Sequence, residues 1–151
     1  MTAESVVSAE LDAAHERARL AYAARDAASY MDTFHSALEY RQHDGRTIGY
    51  EQLAADVRAQ LQKVHTASST FRRTALAAGV DRTSATEEGE QCATFEVRAF
   101  GILRRVWSVQ RRGRYEWIRS GDGWQIRRAE ILNETVESRI SLTFGPAEPS
   151  A

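Results

Sequence analysis

Arg114-Tyr115-Glu116-Trp117-Ile118-Arg119-Ser120-Gly121-Asp122-Gly123-Trp124-Gln125-Ile126 reads as two strands joined by a short hairpin. Tyr115 and Trp117 alternate onto one face of the first strand, and Trp124 and Ile126 onto one face of the second. The Ser-Gly-Asp-Gly run between them supplies turn residues. Ala129 and Ile131 have the opposite parity to Ile126, so both faces of the last strand are expected to be partly buried.

Working back from this hairpin, the pattern from His65 onward has a period of about two, with Thr, Val, Phe, Trp and Tyr interspersed. Breaks are expected at Glu88-Gly89-Glu90, near Gly101 and at Ser120-Gly121-Asp122-Gly123, which gives a meander of four strands. Strands this long do not stay flat, and Gly101 and Gly113 are natural places for a bulge or bend. Before His65 the period is helical. Val7, Leu11, Ala14, Ala18 and Ala21 form one stripe of a helix over about Ser5 to Arg25. Asp26 caps a second helix with Ala27, Tyr30, Met31 and Phe34 on one side. Leu38 to Gln42 reads as a strand, Asp44-Gly45 as a turn, and Arg46 to Ile48 as the returning strand. Gly49 then opens a helix to about Val64 with Leu53, Val57, Leu61 and Val64 buried. The order is helix, helix, hairpin, helix and four strands, with no internal repeat.

With 151 residues, the chain has the size of one domain with a single core. The expected organisation is one α+β domain over residues 1–144 and a flexible tail over 145–151, which holds both prolines, Pro146 and Pro149. A formal net charge of -1 gives no global attraction to nucleic acid or an anionic membrane. Cys92 is the single cysteine, which excludes an internal disulfide and a CxxC pair and fits a reducing compartment, so the expected location is the cytoplasm. No apolar run suits a secretory leader or a spanning helix.

The element order, together with Arg25-Asp26, Leu38-Glu39-Tyr40-Arg41, Asp44-Gly45-Arg46-Thr47, Arg114-Tyr115-Glu116-Trp117 and Gly123-Trp124, resembles the nuclear transport factor 2-like superfamily, including SnoaL-like cyclases and ketosteroid isomerase. The resemblance covers nearly the whole chain. It implies a cone-shaped domain in which helices pack into a strongly bent antiparallel sheet, a pocket between them for a small apolar organic ligand, and a homodimer formed through the sheet. It does not imply one reaction. The position of the isomerase general base is Tyr40 here, and that of its oxyanion donor is Ala18, so that mechanism is not carried over.

The candidate catalytic set is His35, Tyr40 and Glu130, acting by cofactor-independent proton transfer of the cyclase, dehydratase or isomerase kind. Imidazole is the side chain suited to shuttling a proton at neutral pH, and His35 is placed at the end of the second helix, where its plain alternative is a histidine near the last carbonyls. Tyr30, Tyr115 and Trp117 offer broad contact to a flat ligand or form an ordinary core. Glu116, Glu130 and Arg128 are pocket candidates whose plain alternative is cross-strand ion pairing. Asn133, placed with Ala129 and Ile131, is a donor to a ligand carbonyl or to backbone. His15, His43 and His65 show no metal-ligand spacing. Nine arginines between Arg98 and Arg128 face two acids, Glu116 and Asp122, and suggest nucleic-acid contact unless acids such as Glu87, Glu88, Glu90 and Glu96 neutralise them. A non-catalytic dimerisation or protein-interaction module is the competing function.

Overall fold

The computed structural model describes residues 2–121 and 123–142. Helix α1, Ala3–Ala23, starts with a capping box in which Thr2 and Ser5 satisfy each other's backbone. Val7, Leu11, Ala14 and Ala21 are its buried stripe, as their spacing predicts. Asp26 caps α2, Ala27–Met31, by accepting from the Ser29 N–H at 3.1 Å. This helix is shorter than its apolar spacing suggests, because Phe34 already opens strand β1, Phe34–Arg41. His35 therefore lies on a strand and not at a helix end.

Gly45 takes φ +90 in the turn from β1 to β2, Thr47–Ile48, and Gly49 precedes α3, Tyr50–Lys63. Four long strands follow: β3, Thr66–Ala78; β4, Ser84–Ala99; β5, Leu103–Ser120; and β6, Gly123–Leu142. They form the expected meander within one six-stranded sheet of order β2-β1-β6-β5-β4-β3. The sheet is mixed, since β1 runs parallel to β6 while every other pair is antiparallel. It curls strongly but does not close. The helices lie against its concave face, with Val7, Leu11, Leu53, Val57 and Leu61 sharing a core with Trp117, Trp124 and Ile126. The expected tail over 145–151 lies outside the described residues.

Two expectations change here. The break at Glu88-Gly89-Glu90 does not occur: β4 runs straight through it, and the turn between β3 and β4 lies at residues 79–83. Gly89 is needed inside the strand, since a Cβ there would come within 2.2 Å of the Phe71 ring and 2.9 Å of the Arg72 carbonyl. Its register partner Gly113 lies beneath the Tyr115 ring in the same way, with a would-be Cβ 2.5 Å from the hydroxyl. The two glycines clear adjacent places on the concave face for two aromatic rings.

The faces of β6 also change. Glu116 pairs with Arg128 and Trp117 with Ile126, leaving Arg127 as an extra residue. That bulge reverses the side-chain parity, so Trp124, Ile126, Ala129 and Ile131 all turn to the concave side. A second shift, between Arg112 and Gly113, leaves Leu132 extra and places Glu134 opposite Arg111. Asn133 pairs with Arg112 on the convex side, away from Ala129 and Ile131, and is exposed.

Replacing Gly89 by alanine forces Phe71 off its site. We expect Gly89→Ala to lower unfolding free energy by about 1–3 kcal/mol in urea titration, whereas an unchanged midpoint would show that the ring moves freely.

Candidate functional site

A cavity of about 430 Å³ opens between the helices and the concave face. Its wall combines apolar residues such as Phe34, Leu53 and Val57 with two groups of polar side chains. The first reaches the wall through His15 and Arg73 and is anchored behind it by Glu87. Strand parity points this residue inward between Ala85 and Gly89, and its side chain has no solvent exposure. Its carboxylate accepts from Trp117 Nε1 at 2.8 Å and from Arg73 Nε at 2.9 Å, and its oxygens lie 2.9 and 3.1 Å from His15 Nε2. Burial alone would raise the Glu87 pKa, but the bond and charge of His15, the indole N–H and Arg73 outweigh it and hold the carboxyl below its ordinary value of 4.5. A buried charge with this many donors is compensated.

An ionised Glu87 only accepts, so His15 Nε2 carries a proton and donates it to the carboxylate. Nδ1 of a neutral ring is then the basic nitrogen, and it has no protein partner among the described residues. The imidazole lines the cavity, stacked on Phe71 at 3.9 Å and set edge-on to Trp117 at 5.3 Å between centroids. Arg73 reaches on to Ser8 Oγ at 2.9 Å and Asp12 Oδ1 at 2.7 Å, which joins β3 to α1.

The second group contains Tyr30, Tyr40, Tyr115 and Arg111, all on the cavity wall. Burial raises each phenol, with Tyr40 pushed up to about 12, opposed by the Arg111 charge and reinforced by neighbouring Tyr30 and Glu134. These hydroxyls stay protonated at neutral pH and remain donors. Arg111 bonds Glu134 through Nε. Tyr115 adjoins both groups, since its ring contacts Phe71 at 6.1 Å and its hydroxyl feels Arg111, Tyr40 and Glu87.

The structure brings Tyr30, Tyr40 and Tyr115 to this cavity. It does not bring His35, Tyr40 and Glu130 together. His35 is half-buried outside the lining, with Nδ1 accepting from the Ala37 N–H at 2.9 Å. Glu130 is on the convex side, 3.5 Å from Arg114, and Glu116 and Arg128 face each other there at 3.9 Å. These are the cross-strand ion pairs that their arginine neighbours suggest. Trp117 is buried behind His15 and does not line the cavity, and Asn133 is on the far face. Acids also meet the arginine-rich strands, as in Arg114 with Glu88, Arg104 with Glu96, and Arg72 with Glu90.

His15 and Glu87 carry the site without standing out in the sequence. His15 lies four residues after Leu11, on the apolar stripe of α1, and Glu87 has the inward parity of Ala85 and Ala93. A polar, titratable residue type on a buried stripe is the signal that marks each.

No protein-family model matches the sequence, and no curated protein matches it. Solved structures do match in fold. A scytalone dehydratase candidate from Novosphingobium aromaticivorans superposes with TM-score 0.76 at 12% identity, over 97% of this chain and 98% of that one. An NTF-2-like protein of unknown function from Shewanella oneidensis gives 0.62 at 11% identity, over 82% and 97%. An aromatic ring hydroxylase candidate from N. aromaticivorans gives 0.63 at 16% identity, over 89% and 91%. The chain has the nuclear transport factor 2-like fold. No helix among the described residues is long and apolar enough to cross a membrane.

Because folding lowers the Glu87 pKa, its ionisation adds stability above about pH 4.5, and that stability is lost as pH falls through the lower folded-state value. Glu87→Gln should cost about 3 kcal/mol at neutral pH, and its deficit against wild type should shrink in acid. Urea midpoints measured from about pH 7 to about pH 3 check this; a deficit independent of pH would mean that Glu87 is protonated in the folded protein.

Proposed function

We propose that this protein binds a compact, largely apolar organic molecule in its cone and performs cofactor-independent proton transfer on it, as a dehydratase, isomerase or cyclase does. The observation that carries the reading is a cavity histidine held through Nε2 by a buried, ionised glutamate. A carboxylate behind an imidazole fixes its tautomer and stabilises the imidazolium formed when the other nitrogen takes a proton. In the proposed reaction His15 Nδ1 removes a proton from carbon next to a substrate carbonyl. Tyr40, Tyr30 and Arg111 supply hydrogen-bond donors and positive charge to the developing enolate oxygen. The proton returns to another carbon in an isomerisation, or to a departing hydroxyl, released as water, in a dehydration. The cavity volume lies within the roughly 300–1,000 Å³ of small-molecule sites. That one fold neighbour is a dehydratase candidate agrees with this class of chemistry.

A second reading, a binding protein without turnover, is favoured by the Arg73 bonds, because the same network also fastens α1 to the sheet. The two separate experimentally. Gently purified protein is examined by native mass spectrometry, and any organic molecule it carries is extracted, identified and offered back as substrate. We expect His15→Ala to reduce conversion by about 10²–10⁴-fold while ligand is still retained, and His35→Ala and Glu130→Gln to convert at the wild-type rate. Full conversion by His15→Ala would overturn the catalytic assignment. A retained ligand that no variant and no wild-type protein converts would establish the binding reading.

A further inference from the structure

Strand β6 is longer than the strand beside it. On one side it pairs with β5 all the way from Gly113 opposite Ile131 to Leu103 opposite Leu142. On the other side β1 stops at Arg41 opposite Glu130, and His43 reaches Glu134 at 3.4 Å. From Thr135 to Leu142 that edge has no neighbouring strand among the described residues. The outward N–H and C=O groups of an edge strand are a template for another strand. This edge contains neither proline nor lysine, two of the residues that commonly protect edges, and it exposes Val136, Ile140 and Leu142 at 48%, 58% and 56%.

The order of residues along the edge says what fits it. Val136-Glu137-Ser138-Arg139-Ile140 is self-complementary when read in reverse. Two copies aligned antiparallel with Ser138 opposite Ser138 place Glu137 of each against Arg139 of the other, and Val136 against Ile140. Opposite residues in an antiparallel pair share a face, so the ion pairs and the aliphatic pairs fall on separate sides of the joined sheet. Val136 and Ile140 lie on the concave side, since their β5 partners Val109 and Arg105 have the parity of Tyr115. The ion pairs fall on the convex side. Neighbouring registers do not fit: centring on Glu137 sets glutamate against glutamate, and centring on Arg139 sets arginine against arginine.

We propose that a second copy of this chain occupies the edge, with β6 paired antiparallel to β6 about Ser138 to give a two-fold dimer with one continuous twelve-stranded sheet. The contact is isologous, each copy presenting the same segment. It joins edges, whereas a face-to-face dimer through the sheet would cover the convex surface.

Sedimentation equilibrium of the full chain is the test. Wild type is expected to be dimeric. Glu137→Arg and Arg139→Glu each place like charges opposite one another twice, so each should weaken the dimer by about tenfold or more. The double variant Glu137→Arg/Arg139→Glu restores both ion pairs and should return to wild-type association. An equimolar mixture of the two single variants should form a heterodimer. Both positions are exposed, and far-ultraviolet circular dichroism of the variants should match wild type. A wild-type monomer at high micromolar concentration, or a dimer indifferent to the charge changes, would overturn the proposal. So would a monomer that dimerises only when the chain is ended at Leu142, because the edge would then be covered by the chain's own following residues.

Discussion

The buried carboxylate of Glu87 is the constraint around which the concave side is organised. A charge with no solvent exposure persists only if protein groups replace its water, and here an indole, an imidazole and a guanidinium do so from β5, α1 and β3. Three elements distant in sequence must therefore meet at one point. The Arg73 guanidinium extends the constraint to Ser8 and Asp12 on the same helix as His15. A similar arrangement occurs nearer the start of α1, where Glu10 accepts from Trp124 Nε1 at 2.9 Å and pairs with Arg119. Each buried indole thus has a partner for its N–H, and each partner is a carboxylate that also holds an arginine.

The same packing leaves the cavity polar in selected places. Phe71 can reach over Gly89 and carry the His15 ring only because that strand position has no side chain. Tyr115 uses Gly113 likewise and brings its hydroxyl between the two polar groups. The aromatic residues are thus both core and wall. Their apolar bodies shield the charges behind them, which strengthens those interactions, while their hydroxyls and the imidazole provide the few directed groups that a ligand would meet.

Long strands create both the cone and its unfinished boundary. Extra residues at Arg127 and Leu132 bend β6 and reset which side its residues face. The first brings Ala129 and Ile131 into the core, and the second delivers Glu134 to Arg111 while sending Asn133 outward. Beyond the helices, β6 continues without a neighbour on one side among the described residues, so the geometry that encloses the cavity also leaves an open strand edge.

Local periodicity was enough to establish much of this molecule. The apolar stripe of α1, the Asp26 cap, the Asp44-Gly45 turn and the four-strand meander with its final hairpin are all set by neighbours a few residues apart, and so is the order that gives the fold. The three cavity tyrosines were legible as large amphipathic side chains on buried positions. Tertiary structure decided the rest. A period of two is blind to a bulge, so the faces of Ala129, Ile131 and Asn133 came out wrongly, and Phe34 fits a helical stripe until its strand partner Ile126 is known. Gly89 resembles a break until Phe71, from another strand, fills its place. The parallel pairing of β1 with β6 and the meeting of His15 with Glu87, 72 residues apart, depend on how the sheet curls back over the helices. Polar groups at such separations interact only after folding has removed the water between them, which is why sequence supplied the residues and the packed structure made them a site.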